Sequence, residues 1–128
     1  MSDIKTLNLL KTSLVNFFDE LIDIFPKEGD FVAFRIMIKD RIPVTEVVSH
    51  FKKSLLPDKD KIKAKSNPSY QYSGDRSSIS LIDTMNKLFV NIGVSSNTFS
   101  GILKNLDKET EEAMWKWLDV FVTLTEKC

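Results

Sequence analysis

The sequence predicts an all-α protein that folds as a compact bundle of five to seven helices in a single domain. Apolar residues recur every three or four positions along most of the chain, which is the spacing of amphipathic helices. The 128 residues include only four glycines and four prolines, and an all-β chain would need more of these turn-forming residues. No segment alternates β-branched residues in the way that a half-buried strand requires, and the length is that of one ordinary domain.

The first helix is predicted over residues 3–25. Its apolar stripe repeats at helical spacing through Ile4, Leu7, Leu10, Leu14, Phe17, Leu21 and Phe25. Pro26 is expected to end the helix, because proline has no amide hydrogen and disfavours the helical conformation of the residue before it.

Three shorter helices are predicted next along the chain. Asp30 is the expected N-cap of a helix that ends near Asp40, since its carboxylate can accept hydrogen bonds from amides of the first turn. Thr45 is the expected N-cap of a third helix, which Pro57 should end. Residues 58–65 alternate in charge and contain few apolar side chains, so they predict a short and weakly anchored helix.

The middle of the chain divides into a loop and two further helices. Residues 66–77 are rich in turn formers, which predicts a flexible loop. A fifth helix is predicted over residues 78–92, with Gly93 as its stop because glycine adopts a positive φ without steric cost. A short sixth helix is predicted over residues 95–106.

The last helix begins after Asp107, its expected N-cap, and is the most informative part of the sequence. Acidic residues follow in its first turns, where the helix dipole favours negative charge. Its apolar residues form two adjoining stripes, namely Ala113, Trp117, Phe121 and Leu124, and then Met114, Leu118 and Val122. Trp115 lies at the margin of this face. The sequence therefore predicts a helix whose broad aromatic side is buried against the other helices.

Hydropathy and cysteine content predict an intracellular protein without a membrane span. No apolar run approaches the roughly 18 residues of a transmembrane helix. The N-terminal residues show no basic region followed by an apolar run, so no signal peptide is expected. The only cysteine is Cys128, which excludes an intramolecular disulfide and favours a reducing compartment.

No combination of residues predicts catalysis, a cofactor or a metal ion. His50 is the only histidine, whereas a zinc site needs several converging ligands and a catalytic triad needs a nucleophile with an oriented base. Neither of the glycine-rich motifs that bind nucleotide phosphates is present. Acidic pairs such as Glu111 with Glu112 fall on polar helical faces, where they stay solvated. We therefore predict a non-enzymatic protein without a cofactor.

A basic segment is the candidate site for nucleic acid. Residues 31–66 hold nine Lys and Arg against four Asp and Glu, a balance of +5 in a neutral chain. Lysines neutralise phosphates and tyrosines stack on bases. The candidate residues are Lys52, Lys53, Lys59, Lys61, Lys63, Lys65, Tyr70 and Tyr72. Asp58 and Asp60 interrupt this charge and a helix would split the lysines between two sides, so a solvated segment is the preferred interpretation.

An excess of aromatic rings favours a protein-binding function. The chain has nine phenylalanines and two tryptophans, more than one small core accommodates with ease. Large aromatic residues are enriched at the centre of protein interfaces. Phe18, Phe31 and Trp115 are the candidate partner-binding residues, and the predicted partner is a second copy or another protein. The alternative is that a bundle of this many helices requires many rings.

Three segments carry a resemblance to a known group of proteins. They are FDELIDIFP at residues 18–26, LLPDKDKI at residues 55–62 and LDKETEEAMWKWLDVF at residues 106–121. In order and character they resemble small, uncharacterised α-helical proteins encoded by giant viruses, the nucleocytoplasmic large DNA viruses. The resemblance covers the chain outside residues 66–77 and implies no active-site residue. It implies a virion component, such as a minor capsid or inner-particle protein, or a binder of host factors, located in the host cytoplasm, the nucleus or the virion.

Overall fold

A computed structural model describes residues 4–67, 69–71, 74, 79–89, 96–104 and 106–128 of the chain. Within these residues it contains seven α-helices, one 3₁₀ turn and no strand, which confirms the predicted all-α class. The α-helices are α1 (Ile4–Ile24), α2 (Gly29–Asp40), α3 (Val44–Ser54), α4 (Lys59–Ser66), α5 (Leu81–Phe89), α6 (Ser96–Leu103) and α7 (Lys108–Lys127). The 3₁₀ turn, Leu56–Asp58, lies between α3 and α4.

Helices α1 and α2 pack as an antiparallel hairpin. α1 ends just before Pro26, as predicted. The ring of Phe18 on α1 lies 4.7 Å from that of Phe34 on α2, and nearer the connection the ring of Phe25 lies 6.4 Å from that of Phe31. This order of contacts, rising along one helix and falling along the other, is that of an antiparallel pair.

Two of the predicted N-caps are wrong. The N-cap of α2 is Glu28 rather than Asp30, because the backbone of Glu28 is extended (φ −91°, ψ 90°) and the helix starts directly after it. Asp30 lies inside the first turn, where its charge still favours the helix dipole. The N-cap of α3 is Pro43 rather than Thr45, again because the extended backbone (φ −61°, ψ 134°) sets the start. The side chain of neither N-cap residue forms a hydrogen bond with the first turn of its helix. Backbone conformation alone therefore defines these two helix starts.

α3 ends at Ser54, three residues before Pro57, which agrees with the predicted stop. Pro57 itself does not interrupt the helical path that continues beyond α3. It occupies the first turn of the 3₁₀ segment, where its missing amide hydrogen has no consequence because a first-turn amide has no partner within the helix. α4 follows directly and is the predicted charged helix, anchored by the buried Ile62 and Ala64. The path from α3 into α4 is therefore almost continuously helical.

The middle of the chain agrees with the predicted order of elements. α5 begins at Leu81, three residues later than expected, because the hydroxyl of Ser80 accepts a hydrogen bond from the amide of Asp83 (3.1 Å) and so caps the helix. The predicted stop at Gly93 lies outside the described residues. Those residues of the predicted loop that the structure describes after α4, namely residues 67, 69–71 and 74, lie outside helices and strands.

One hydrophobic cluster joins buried side chains from all seven helices. Phe89 of α5 is at its centre, with its ring 5.3–6.2 Å from the rings of Phe17, Phe18, Phe34, Phe51 and Phe99. Offset and edge-to-face ring pairs at these distances add to the energy of burial. The many phenylalanines therefore serve first to hold helices of different orientation around one core.

Candidate interaction surface

Helix α7 is the structural basis of the candidate surface. The Asp107 carboxylate accepts a hydrogen bond from the amide of Thr110 (3.0 Å), which confirms the predicted cap. Hydrogen bonds from Thr110 to this carboxylate favour its charged form and lower the pKa of Asp107. Acidic residues in the first turn and Lys127 in the last turn both agree with the helix dipole. α7 is therefore a well-defined rod of 20 residues.

The inner side of α7 forms part of the core. Its buried residues are Met114, Trp115, Leu118, Phe121, Val122 and Thr125. The predicted stripe of Ala113, Trp117, Phe121 and Leu124 is wrong in this respect, since only Phe121 of the four is buried. Compared with the prediction, α7 is rotated about its axis. Trp115 faces the core, and Trp117 lies at the margin of the buried face.

The remaining three members of that stripe, together with Val120, form what we call the outer shoulder of α7: Ala113, Trp117, Val120 and Leu124. They follow one another at spacings of four, three and four residues, the pattern of a helix-packing seam. Val120 is 40% exposed, and the other three are only half-buried. A partly exposed apolar strip thus lies at the margin of the buried face of α7, where Trp117 and Leu124 still pack against the core.

Trp117 holds a fixed position within the outer shoulder. Its indole N–H donates a hydrogen bond to the carboxylate of Glu20 on α1. Its ring lies 5.8 Å from that of Phe17 and 6.1 Å from that of Phe121. One edge of the ring is therefore fixed by the domain, while the other part of its surface is available for contact.

The first helix extends the apolar surface at one end. Phe17 contacts Phe121 (5.4 Å between ring centroids) and Glu20 contacts Trp117, so α1 and α7 run antiparallel. One turn beyond Glu20 on α1 therefore corresponds to one turn before Trp117 on α7, which places Ile24 at the Ala113 end of the shoulder. Ile24 is 39% exposed.

The outer shoulder also has a concave part. Ala113, Lys116, Trp117 and Val120 line a shallow depression of about 270 Å³. Its lining is apolar except for the exposed Lys116 at the rim. A depression of this kind fits an apolar side chain from another helix rather than a small polar substrate.

The predicted partner-binding residues are not at this surface. Phe18 and Phe31 are fully buried, and Trp115 is 3% exposed. Phe18 packs against rings of α2 and α5, and Trp115 packs beneath the Lys65 ammonium of α4, which lies 5.7 Å from its ring centroid. The prediction that these three rings face a partner is therefore wrong for the folded domain, because the core accommodates them. Trp117 and Val120, which the sequence analysis did not select, are the candidate residues at the surface instead.

The lysines of the basic segment do not form one surface. Lys63 pairs with Glu126 on α7 (3.3 Å), while Lys65 lies over Trp115. Lys52 on α3 donates to the backbone carbonyl of Cys128 (3.2 Å). The others are Lys53 and Lys59, which are exposed, and Lys61, which is half-buried. Half of the candidate lysines are thus used in contacts within the domain.

Tyr70 is likewise engaged within the domain. Its hydroxyl donates a hydrogen bond to the carboxylate of Asp60 (2.7 Å), and this bond, together with the negative charge of Asp60, raises the pKa of Tyr70. Tyr72 lies outside the described residues. The structure therefore brings one predicted stacking residue next to an acidic group, which would repel a nucleic-acid phosphate.

His50 makes its hydrogen-bond contacts with the backbone of α5 and with a neighbouring side chain of α3. Its Nε2 donates to the backbone carbonyl of Lys87 on α5 (3.1 Å), and its Nδ1 faces the hydroxyl of Ser54 one turn later (3.5 Å). Among the residues that the structure describes, no group of three or more His, Cys, Asp or Glu side chains could hold a metal ion.

A cleft of about 350 Å³ lies where the ends of α4 to α7 meet. Leu81, Leu103 and Trp115 form its apolar lining, and Lys65 and Lys104 lie at its rim. Since Lys65 already covers the Trp115 ring, this cleft is in part the edge of the core.

None of the described helices has the length and apolarity to cross a membrane. The chain matches no known protein family, no curated protein and no solved structure.

Proposed function

We propose that this protein acts without catalysis, by binding another protein through the outer shoulder of α7. The observation that carries the proposal is a strip of four apolar residues at seam spacing beside the buried face of α7, with Val120 40% exposed. An exposed apolar patch beside a buried helical face is a candidate for contact with a partner.

Trp117 gives this strip the properties of a binding anchor. Tryptophan is the residue type most enriched among side chains that dominate interface energies. The hydrogen bond to Glu20 and the ring contacts with Phe17 hold Trp117 in place before binding. Less side-chain entropy is then lost when a partner arrives.

The other exposed aliphatic residues support a contact site less well. Val32 and Ile36 lie one turn apart on α2, and Leu9 lies on α1, at 45%, 46% and 50% exposure. None of them adjoins an exposed ring held by a hydrogen bond. Single exposed aliphatic residues are common on soluble proteins and need no partner.

The sequence resemblance adds a setting to this proposal. If the chain comes from a giant virus, the protein bound at the outer shoulder would be a component of the particle, this chain included, or a host factor. Mass spectrometry of purified particles tests the virion version: the protein should be present at a constant ratio to major particle proteins. If the protein is found in infected cells but not in particles, the proposal of a virion component is wrong and only binding to a host factor remains.

A matched pair of variants tests the contact surface. Val120→Glu places a charge on the outer shoulder, and Val32→Glu places the same charge on α2 at similar exposure. Proteins that cross-link to the wild type in cells should also cross-link to the Val32→Glu variant. They should no longer cross-link to the Val120→Glu variant. The proposal is contradicted if both variants keep the same cross-linked proteins, provided that thermal unfolding shows both to be folded.

Nucleic-acid binding by the basic segment is the alternative proposal, supported by the exposed Lys53 and Lys59. A DNA titration at two salt concentrations decides it, because binding to phosphates weakens steeply as salt rises. Absence of binding at low salt would end this alternative.

A further inference from the structure

The outer shoulder is nearly self-complementary. Ala113 and Leu124 are equally distant from the midpoint between Leu118 and Asp119, and the same is true of Trp117 and Val120. If a second α7 lies antiparallel across a two-fold axis at this midpoint, Ala113 meets Leu124 of the other copy. Trp117 in the same way meets Val120 of the other copy.

These pairs match in size. A small residue faces a large one at both positions, which lets two helices interdigitate at close distance. Because the axis relates the pairs, each contact occurs twice, as in the isologous interfaces of most homodimers. A parallel arrangement would place Trp117 against Trp117 and Ala113 against Ala113, leaving a crowded position beside a gap.

The charges at the two ends of α7 favour the same register. Glu109 and Lys127 are about five helical turns apart, so they lie on one line along the helix. With the two-fold axis between Leu118 and Asp119, Glu109 of one copy lies one residue, about 1.5 Å along the helix axis, from the level of Lys127 of the other copy, so the two charges come close twice. Both residues are exposed, and neither forms an ion pair within the described part of the chain. In a parallel pair Glu109 and Lys127 would lie at opposite ends of the interface and could not pair with each other.

We propose that the partner of the outer shoulder is a second copy of this chain, bound by antiparallel pairing of α7 with α7. This inference rests on the proposed contact surface and names its occupant. A single pair of helices, with Ile24 at the edge, makes a small interface, so the dimer is weak and forms in a concentration-dependent way. The antiparallel helix dipoles also attract each other.

Charge exchange tests the register. We expect Glu109→Lys and Lys127→Glu each to weaken self-association about fivefold or more, because each creates two like-charge contacts. The double variant Glu109→Lys/Lys127→Glu restores both ion pairs and should recover the wild-type dissociation constant to within about threefold. Sedimentation velocity over a range of protein concentrations at low salt measures all four proteins. Circular dichroism checks that each is folded, and Val120→Glu serves as a monomeric control.

Recovery in the double variant supports the inference. Equal association of the wild type and both single variants, or failure of the double variant to recover, overturns the antiparallel register. A wild type that stays monomeric at all concentrations overturns self-association itself. In that last case the cross-linking comparison of Val120→Glu with Val32→Glu still decides the contact surface independently.

Discussion

The inner and outer sides of α7 have similar apolar residues but opposite environments. Leu118, Phe121 and Val122 on the inner side are fully buried, whereas Val120 and Trp117 on the outer shoulder keep contact with solvent. The difference arises from where neighbouring helices lie: α1 adjoins α7 at Trp117, and α4 adjoins it at Trp115. An apolar helical face can thus be wider than its own domain needs, and the proposed contact surface rests on that surplus.

Truncation of the two sides should give very different losses of stability. Phe121→Ala removes a buried ring that contacts Phe17, Phe51 and Trp117, and should lower the free energy of unfolding by about 3–5 kcal/mol. Val120→Ala on the outer shoulder should lower it by less than about 1 kcal/mol. Urea unfolding at low protein concentration measures both. Equal losses would show that Val120 belongs to the core, and the comparison would then be wrong.

The inner side contains one polar residue whose removal should stabilise the protein. Thr125 is fully buried, and its hydroxyl has no hydrogen-bond partner among the described residues. Thr125→Val keeps the shape and removes the unpaired group, so the free energy of unfolding should rise by about 1 kcal/mol. Thr123→Val, two residues earlier on the exposed side of α7, is the matched control and should change the free energy of unfolding little. A loss of stability in Thr125→Val would indicate a hydrogen bond at this hydroxyl.

The contact between Trp117 and Glu20 joins the outer shoulder to α1. Trp117→Phe removes the indole donor and Glu20→Ala removes the acceptor, and each should cost about 1 kcal/mol of unfolding free energy. Because both changes break the same bond, the double variant should cost less than the sum of the two. Thermal or urea unfolding of the four proteins gives the coupling energy. Strict additivity would mean that the bond contributes nothing to holding the ring.

The smallest effect on stability is expected at the N-terminal cap of α7, which supports the inner side and the outer shoulder alike. The pKa of Asp107 is lowered in the folded state, so its stabilisation is complete above its ordinary value near 3.8 and is lost as pH falls through the folded value. Asp107→Ala should therefore destabilise the protein at neutral pH and reduce the loss of stability on acidification. Thr123→Ala, at an exposed position of α7 without an ionisable group, is the control and should leave the pH profile unchanged. Identical profiles for both variants would contradict the capping role.

The sequence was sufficient for the features that depend on local patterns. The cap at Asp107, the end of α1 before Pro26 and the order of the helices follow from residue spacing and turn chemistry. The caps at Asp30 and Thr45 were wrong because an extended backbone one or two residues earlier starts the helix, and propensity does not report that conformation.

The binding surface could be predicted only in part. Periodicity showed that α7 has two adjoining apolar stripes, but the choice between them depends on the positions of α1 and α4. Trp115 is covered by Lys65 and Trp117 is held by Glu20, and these contacts join residues far apart in the chain. Phe18 and Phe31 were misassigned for a related reason, since the cluster around Phe89 accommodates more rings than one helix face suggests.

The central claim is that the inner side of α7 holds the domain together and the outer shoulder binds a second chain. Oxidative cross-linking tests it most directly, with Val120→Cys and Thr123→Cys compared in a Cys128→Ser background. In the antiparallel pair the two copies of residue 120 are separated by about 4.5 Å along the helix axis, and the two copies of residue 123 by about 13.5 Å. The account predicts rapid disulfide-linked dimers from Val120→Cys and few from Thr123→Cys. Equal rates at the two positions, or no dimer from either, would contradict it.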